Sequence, residues 1–294
     1  LAAAVLSLPI GLFGALLTCK AMPNVTEDNV APFDFSGFIL LVIAMVGLSL
    51  GIENFASPYL SLWWSAGLIV LGLIAVIWYA LHAHTHQNAL FRSKLFKNKI
   101  FAIGIIGNFF ARLGGNAMPF IMPIMLQVAF GFDPLITGLM MIPIVLGSLA
   151  SKPIIRQIIQ RYGYRNVLLV NTLLVGACIA SFAFTTADTP LWLRTLHFFV
   201  FGILNSLQFV SMNTLTLKDL PHQDASSGNS FLSMIMMLSM SIGVALAGTL
   251  INVFSVYFGT NQITFAFHAT LIILGSINLI TAFIFWQIPK NTAV

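Results

Sequence analysis

The sequence predicts an all-α integral membrane protein of about nine transmembrane helices. Three observations carry that prediction. Of the 294 residues, 59% are hydrophobic and 7% are charged, against roughly 45 to 50% and about 25% in an ordinary soluble domain. Nine apolar segments follow one another along the chain, each near the roughly 20 residues that cross the hydrocarbon as a helix. Eleven of the 13 Lys and Arg residues fall at alternate connections or ends.

In chain order, segment 2–22 ends in Lys20. Segments 35–54 and 62–82 read FILLVIAMVGLSLGI and SAGLIVLGLIAVIWYAL in their interiors, without an amide or a charge at depth. Such helices can face lipid on most sides, with Trp63, Trp64, Trp78 and Tyr79 as an interfacial aromatic belt. The basic connection Arg92, Lys94, Lys97 and Lys99 leads into segment 101–127. Segments 134–151 and 166–186 enclose Lys152, Arg156, Arg161 and Arg165; segments 191–216 and 230–257 enclose Lys218; segment 264–287 precedes Lys290. By the positive-inside rule these basic connections and the C-terminus are cytoplasmic, while Glu53, Asp133 and Asp188 mark the opposite side. The net charge of +5 is therefore a topology signal, and no nucleic-acid partner is expected. Cys19 and Cys178 lie far apart in or at the end of apolar segments, which reads as small core residues rather than a disulfide framework. The chain starts at Leu1, already inside an apolar segment, and is expected to be the C-terminal part of a longer gene product.

Segment 101–127 holds Arg112, 13 residues beyond Lys99. That is roughly 20 Å along a helix, too deep for easy snorkelling to the interface. A charge at such depth costs roughly 2.5 to 3.5 kcal/mol on insertion scales. Asn108 and Asn116 lie four residues to either side on one helical face, and Pro119, Pro123 and Gln127 project within about 60° of that line. Segment 191–216 carries a second line, in which Arg194, His197, Asn205, Gln208 and Thr216 fall within about 100°. Arg194 and His197 sit a turn or two from the outer boundary, where polar residues are ordinary. For Asn205 and Gln208 an interhelical hydrogen bond is the alternative to a hydrated path.

The last six segments thus divide into two triplets, each opening with its polar helix. Inverted three-helix repeats around a midplane site give a transporter half this pattern. The candidate substrate-path residues are Asn108, Arg112, Asn116, Gln127, Asn205 and Gln208. Ser239, Gly243 and Ala247 recur every fourth residue and form a close-packing face. His82 and His86 have the spacing of a helical metal pair, but with no carboxylate or thiolate nearby no metal site is expected. Nucleotide-binding and zinc-protease motifs do not occur, so neither a cofactor nor enzymatic chemistry is expected. A non-transporting scaffold or sensor, with the polar lines as interhelical glue, is the second reading.

RYGYRNVLL at 161–169 resembles the second half of the major facilitator loop motif, with Arg161, Gly163 and Arg165 at its R-x-G-x-R positions. Gln160 stands at that motif's aspartate position and Arg156 at its leading glycine. ARLGGNAMPFIMPIMLQVAFGFDPLITGLMMIPIVLGS at 111–148 and NTLTLKDLPHQDASSGNSFLSMIMMLSMSIGVALAG at 213–248 are similar to the fourteen-span drug:proton antiporter branch of the major facilitators. The resemblance covers almost the whole chain. It implies that 1–22 is the last helix of an N-terminal transporter domain, 23–99 a linker with two extra transmembrane helices, and 100–294 the C-terminal six-helix domain of a major facilitator fold. It also implies that Arg161, Gly163 and Arg165 form a cytoplasmic gating loop. Proton-coupled export of a small molecule or drug by alternating access follows from the same resemblance, in a bacterial inner membrane. The implied partners are membrane lipid, a small-molecule substrate, the proton and the missing N-terminal domain. No Asp or Glu lies deep in any of the nine segments, so the proton-coupling carboxylate is expected in that missing domain.

Overall fold

The structure, a computed structural model, describes residues 2–21, 32–56, 61–86, 89–91, 93–259 and 262–289. Among them every regular element is helical: α1 (Ala2–Ala21), α2 (Phe35–Ala56), α3 (Leu62–Thr85), α4 (Lys99–Ile124), α5 (Pro134–Ser181), α6 (Leu191–Lys218), α7 (His222–Phe258) and α8 (Ile263–Trp286). Two 3₁₀ turns, Ser93–Lys97 and Phe182–Phe184, and a π-helical turn, Met125–Ala129, interrupt them. Helices α2 to α8 are each long and apolar enough to cross a membrane. The chain is an all-α membrane protein. Leu1–Phe33, with α1, forms one compact unit and Asp34–Val294 a second. Leu1, the connection 22–31, Arg92 and Lys290, which bear on the expected topology, lie outside the described residues.

Local sequence sets the helix starts. Asn98 caps α4, its side chain accepting from the backbone N–H groups of Ile100 at 3.0 Å and Phe101 at 3.2 Å. Asp133 caps α5 by accepting from Leu135 N at 2.8 Å, with Pro134 supplying a preset φ at the first position.

Helix α5 is 48 residues long, broken at Gly163 (φ 75°, ψ 156°), a conformation that glycine adopts without a Cβ clash. Along its first arm, 134–162, contacts with α6 advance in step: Met140 meets Arg194, and Ser148 meets Gly202 and Ser206. Along its second arm, 164–181, they run in reverse, from Asn171 with Gln208 to Ser181 with His197. The chain therefore doubles back at Gly163, and α5 supplies two spans.

Two expectations about connections are corrected. The first arm does not stop at 151; it runs through Lys152, Arg156 and Arg161, because Ile155 and Ile159, one turn apart, stay buried at 4% and 5% exposure and hold the helix against its neighbours. Likewise α7 begins at His222 rather than 230, which leaves only 219–221 between α6 and α7.

The apolar core of the second unit forms three clusters. One joins the ends of α4, α6 and α8 near Met125, Phe198 and Phe267; one joins their other ends near Ile103, Leu215 and Phe285. The third packs α3 and the 89–97 segment against Leu232 of α7. Trp63, Trp64 and Trp78 are exposed, as an aromatic belt requires. Tyr79 is not part of it: it is buried, and its hydroxyl accepts from Phe91 N at 2.7 Å and donates to Phe91 O at 3.3 Å. Cys178 is buried, whereas Cys19 is exposed on α1 rather than in a core.

Candidate functional site

Four spans change character at one level. The second arm of α5, and α4, α6 and α8, each pass from one buried apolar cluster to the other. At that boundary lie Arg112, Asn171 and Thr172, Gln208, and Asn278, with Asn108 one turn from Arg112, all buried. Polar groups buried among hydrocarbon are costly unless hydrogen-bonded, and most of these pair across helices.

Arg112 is 3% exposed. Its Nε donates to Asn108 Oδ1 one turn back at 3.0 Å, and its Nη2 donates to Asn213 Oδ1 on α6 at 3.0 Å. The guanidinium carbon lies over Phe209, 3.7 Å from the ring centroid, a favourable cation–π arrangement. Asn108 in turn donates to Gly104 O at 3.0 Å and to Thr216 Oγ1 at 3.0 Å. The cluster thus locks α4 to α6. Among the described residues no carboxylate pairs with Arg112; the only ion pair there is His82 with Asp34. Neutral acceptors fix the guanidinium without cancelling its charge, and a guanidinium carries five N–H donors in a fork that suits carboxylates.

Gln208 faces elsewhere. Its Nε2 donates to Thr172 Oγ1 at 2.7 Å, and its Oε1 accepts from Asn171 Nδ2 at 2.7 Å. Both partners lie on the second arm of α5, so this amide is committed to holding α5 against α6. Asn205 is half-buried, and a Cβ built on Gly115 of α4 would stand 3.0 Å from its Oδ1. Asn116, also half-buried, is the next residue on α4.

Gln127 is exposed on the π-helical turn. Pro119 and Pro123 lack the N–H that an α-helical ladder needs, and Phe130 N bonds Met125 O at 3.1 Å, five residues back. The α-helical phase of the stripe therefore ends at Ile124, before Gln127.

Arg161, Gly163 and Arg165 flank the reversal of α5; Arg161 is exposed, its guanidinium 5.6 Å from the ring of Tyr162. Ser239, Gly243 and Ala247 are buried on α7, and a Cβ on Gly243 would lie 2.6 Å from Leu113 O of α4. Arg194 is an end staple, donating from Nη2 to Thr186 O at 2.8 Å in the connection before α6. His197 stacks on Phe182 with centroids 3.6 Å apart.

The residues that sequence reasoning missed are Asn213, Phe209, Asn171, Thr172 and Asn278. Asn213 lies about 80° around α6 from Asn205, on the opposite side of the polar line from Gln208. Contrary to the expectation from sequence, a carboxylate does lie beside the histidines: His82 Nε2 stands 2.9 Å from Asp34 Oδ1, 48 residues away in sequence. Among the described residues no group of three metal-ligating side chains occurs.

Comparison with known proteins sets this geometry in context. The profile of the Major Facilitator Superfamily matches residues 2–244 and 104–293. Curated relatives called "Putative multidrug resistance protein MdtD" in Escherichia coli O6:H1, Escherichia coli O6:K15:H31 and Shigella boydii serotype 18 are each 44% identical over 294 residues. The alignment takes in 98% of this chain and 61% of each relative, so the chain spans about three-fifths of their length. With a profile match reaching from one end of the sequence to the other, on an array of membrane-length helices, the chain belongs to the Major Facilitator Superfamily.

Proposed function

We propose that this chain forms the C-terminal part of a secondary transporter, not an enzyme, that exports small molecules across a bacterial inner membrane by alternating access, with the proton as coupling ion. In this reading 1–22 closes an N-terminal domain, 23–99 is a two-helix linker, and 100–294 is the C-terminal transport domain. The C-terminus is cytoplasmic, and Arg161, Gly163 and Arg165 serve as a gate at the cytoplasmic turn of α5.

The observation that supports this most is Arg112, a cation held at mid-span by Asn108 and Asn213 with no carboxylate against it among the described residues. A structural arginine in a membrane would be expected to carry its counter-ion. One left uncancelled suits an anionic substrate, or a carboxylate that meets it from the N-terminal domain in one conformation. The multidrug role in the relatives' name points to broad substrates, whereas a central guanidinium favours anions over lipophilic cations.

Efflux from cells carrying the intact gene tests the reading, with a panel of small carboxylates and lipophilic cations, with and without a proton uncoupler. Uncoupler-sensitive export supports it; no export of any compound counts against it.

One observation favours the scaffold reading for part of the polar line. The Gln208 amide bonds Asn171 Nδ2 and Thr172 Oγ1 across α5 and α6, so both of its ends are engaged by protein. We assign that trio to packing and retain Asn116, Asn205 and Arg112 for the path.

A further inference from the structure

We propose that the cavity between α2, α3 and α7 is a binding site for an anionic phospholipid, with an acyl chain in the cavity and the headgroup phosphate at Lys97. The cavity measures about 730 Å³, and its walls are almost wholly apolar. Leu48, Leu73, Met234 and Leu238 line its length, and Lys97 and His84 stand among its lining residues near the ends of their elements. The hydroxyl of Tyr79, also in the wall, is committed to the backbone of Phe91.

Three features select the occupant. The first is reach: from His84 to Leu73 along α3 is 84 − 73 = 11 residues, about 16 Å at a helical rise, or about half the hydrocarbon thickness. The cavity therefore matches one leaflet. The second is the wall, which offers water too few polar partners to hold it, whereas hydrocarbon from the bilayer fits. The third is charge. Lys97, which is exposed, is the one Lys among the cavity's lining residues, and no Asp or Glu lines it. Cations at the level of the headgroups favour anionic over zwitterionic lipid.

Access comes sideways from the bilayer, since Leu73 and Val76 of α3, which line the cavity, are exposed. Helix α3 packs mainly on α2 and the Ser93–Lys97 turn, not on α7. A lipid chain in this cavity would complete the seam between the α2–α3 pair and α7.

The test is native mass spectrometry of the purified full-length protein in mixed micelles containing phosphatidylglycerol and phosphatidylcholine with identical chains. The expected result is preferential retention of phosphatidylglycerol. Lys97→Gln should cut that preference about fivefold, the effect of one cation near a membrane surface, while Lys94→Gln, outside the cavity, leaves it within about twofold. Leu238→Trp and Ala83→Leu, which fill the cavity, should each lower retention of both lipids. Lys97 is exposed, so its substitution does not depend on core packing, and size-exclusion profiles identify any misfolded variant. Equal retention of the two lipids, no change with Lys97→Gln, an equal change with Lys94→Gln, or unchanged retention in well-folded cavity variants would each overturn the proposal.

Discussion

Arg112, midway along α4, joins that helix to Asn213 in the last turns of α6, with Nη2 of the guanidinium 3.0 Å from the amide oxygen. Charge is thus held by a neutral acceptor in surroundings where an unpaired ion is expensive. Nε reaches Asn108 at the same time, so the planar fork of arginine is used in two directions. Arg112→Lys keeps the charge but cannot make both contacts. Export by Arg112→Lys should fall about tenfold or more at equal protein level in the membrane, measured as initial efflux rate. Full activity in the lysine variant would mean that the charge alone suffices.

The seam of α7 on α4 gives a stability prediction. A Cβ on Gly243 would press into the backbone carbonyl of Leu113 at 2.6 Å, and backbone cannot yield as a side chain can. Gly243→Val should therefore cost about 1 to 3 kcal/mol through overpacking. A lower thermal midpoint in detergent is the readout; an unchanged midpoint would show that α7 slides freely on α4.

Labelling should separate the two polar groups. Cysteines at 116 and 205, where the native residues are half-buried, should react with small hydrophilic thiol reagents in membranes, whereas one at 208, where Gln208 is 3% exposed, should be protected. Gln208→Leu should also destabilise the protein by about 1 to 3 kcal/mol, because Asn171 and Thr172 lose their partner. Rapid labelling at 208 would return that residue to the path.

Asp34, outside the spans, supplies a pH prediction. Burial alone would raise its carboxyl, but the backbone N–H of Gly37, hydrogen bonds from His82 and Ser36, and the charge of His82 together hold it below the ordinary value of 3.8. A carboxyl depressed in the folded state stabilises at pH above its unfolded value and loses that contribution as pH falls through the lower native value. Wild type should therefore be more stable than Asp34→Asn at about pH 7, with the gap closing below 3.8. A gap that stays constant to about pH 3 would assign the contact no electrostatic role.

Much of this architecture is legible in sequence because membrane spans announce themselves by length and charge alternation. Asn108 and Arg112 were also legible, since four-residue spacing places two side chains on one face whatever the tertiary structure. Asn213 was not: its partnership depends on where α4 meets α6. Asn171 and Thr172 sit in the otherwise apolar run VLLVNTLLVGA, where two polar side chains hardly disturb the hydropathy. Positive charge misled at α5, where Lys152, Arg156 and Arg161 suggested a loop although Ile155 and Ile159 kept the helix intact. Asp34 and His82 lie 48 residues apart, and no local pattern links them.

The most direct test of the central claim is efflux by Arg112→Gln in the intact gene, compared with wild type at matched membrane abundance. Glutamine keeps hydrogen-bonding capacity near Asn108 and Asn213 and removes the charge. Uncoupler-sensitive export should be abolished while the protein still inserts. Undiminished export by Arg112→Gln would contradict it and leave Arg112 as a packing residue between α4 and α6.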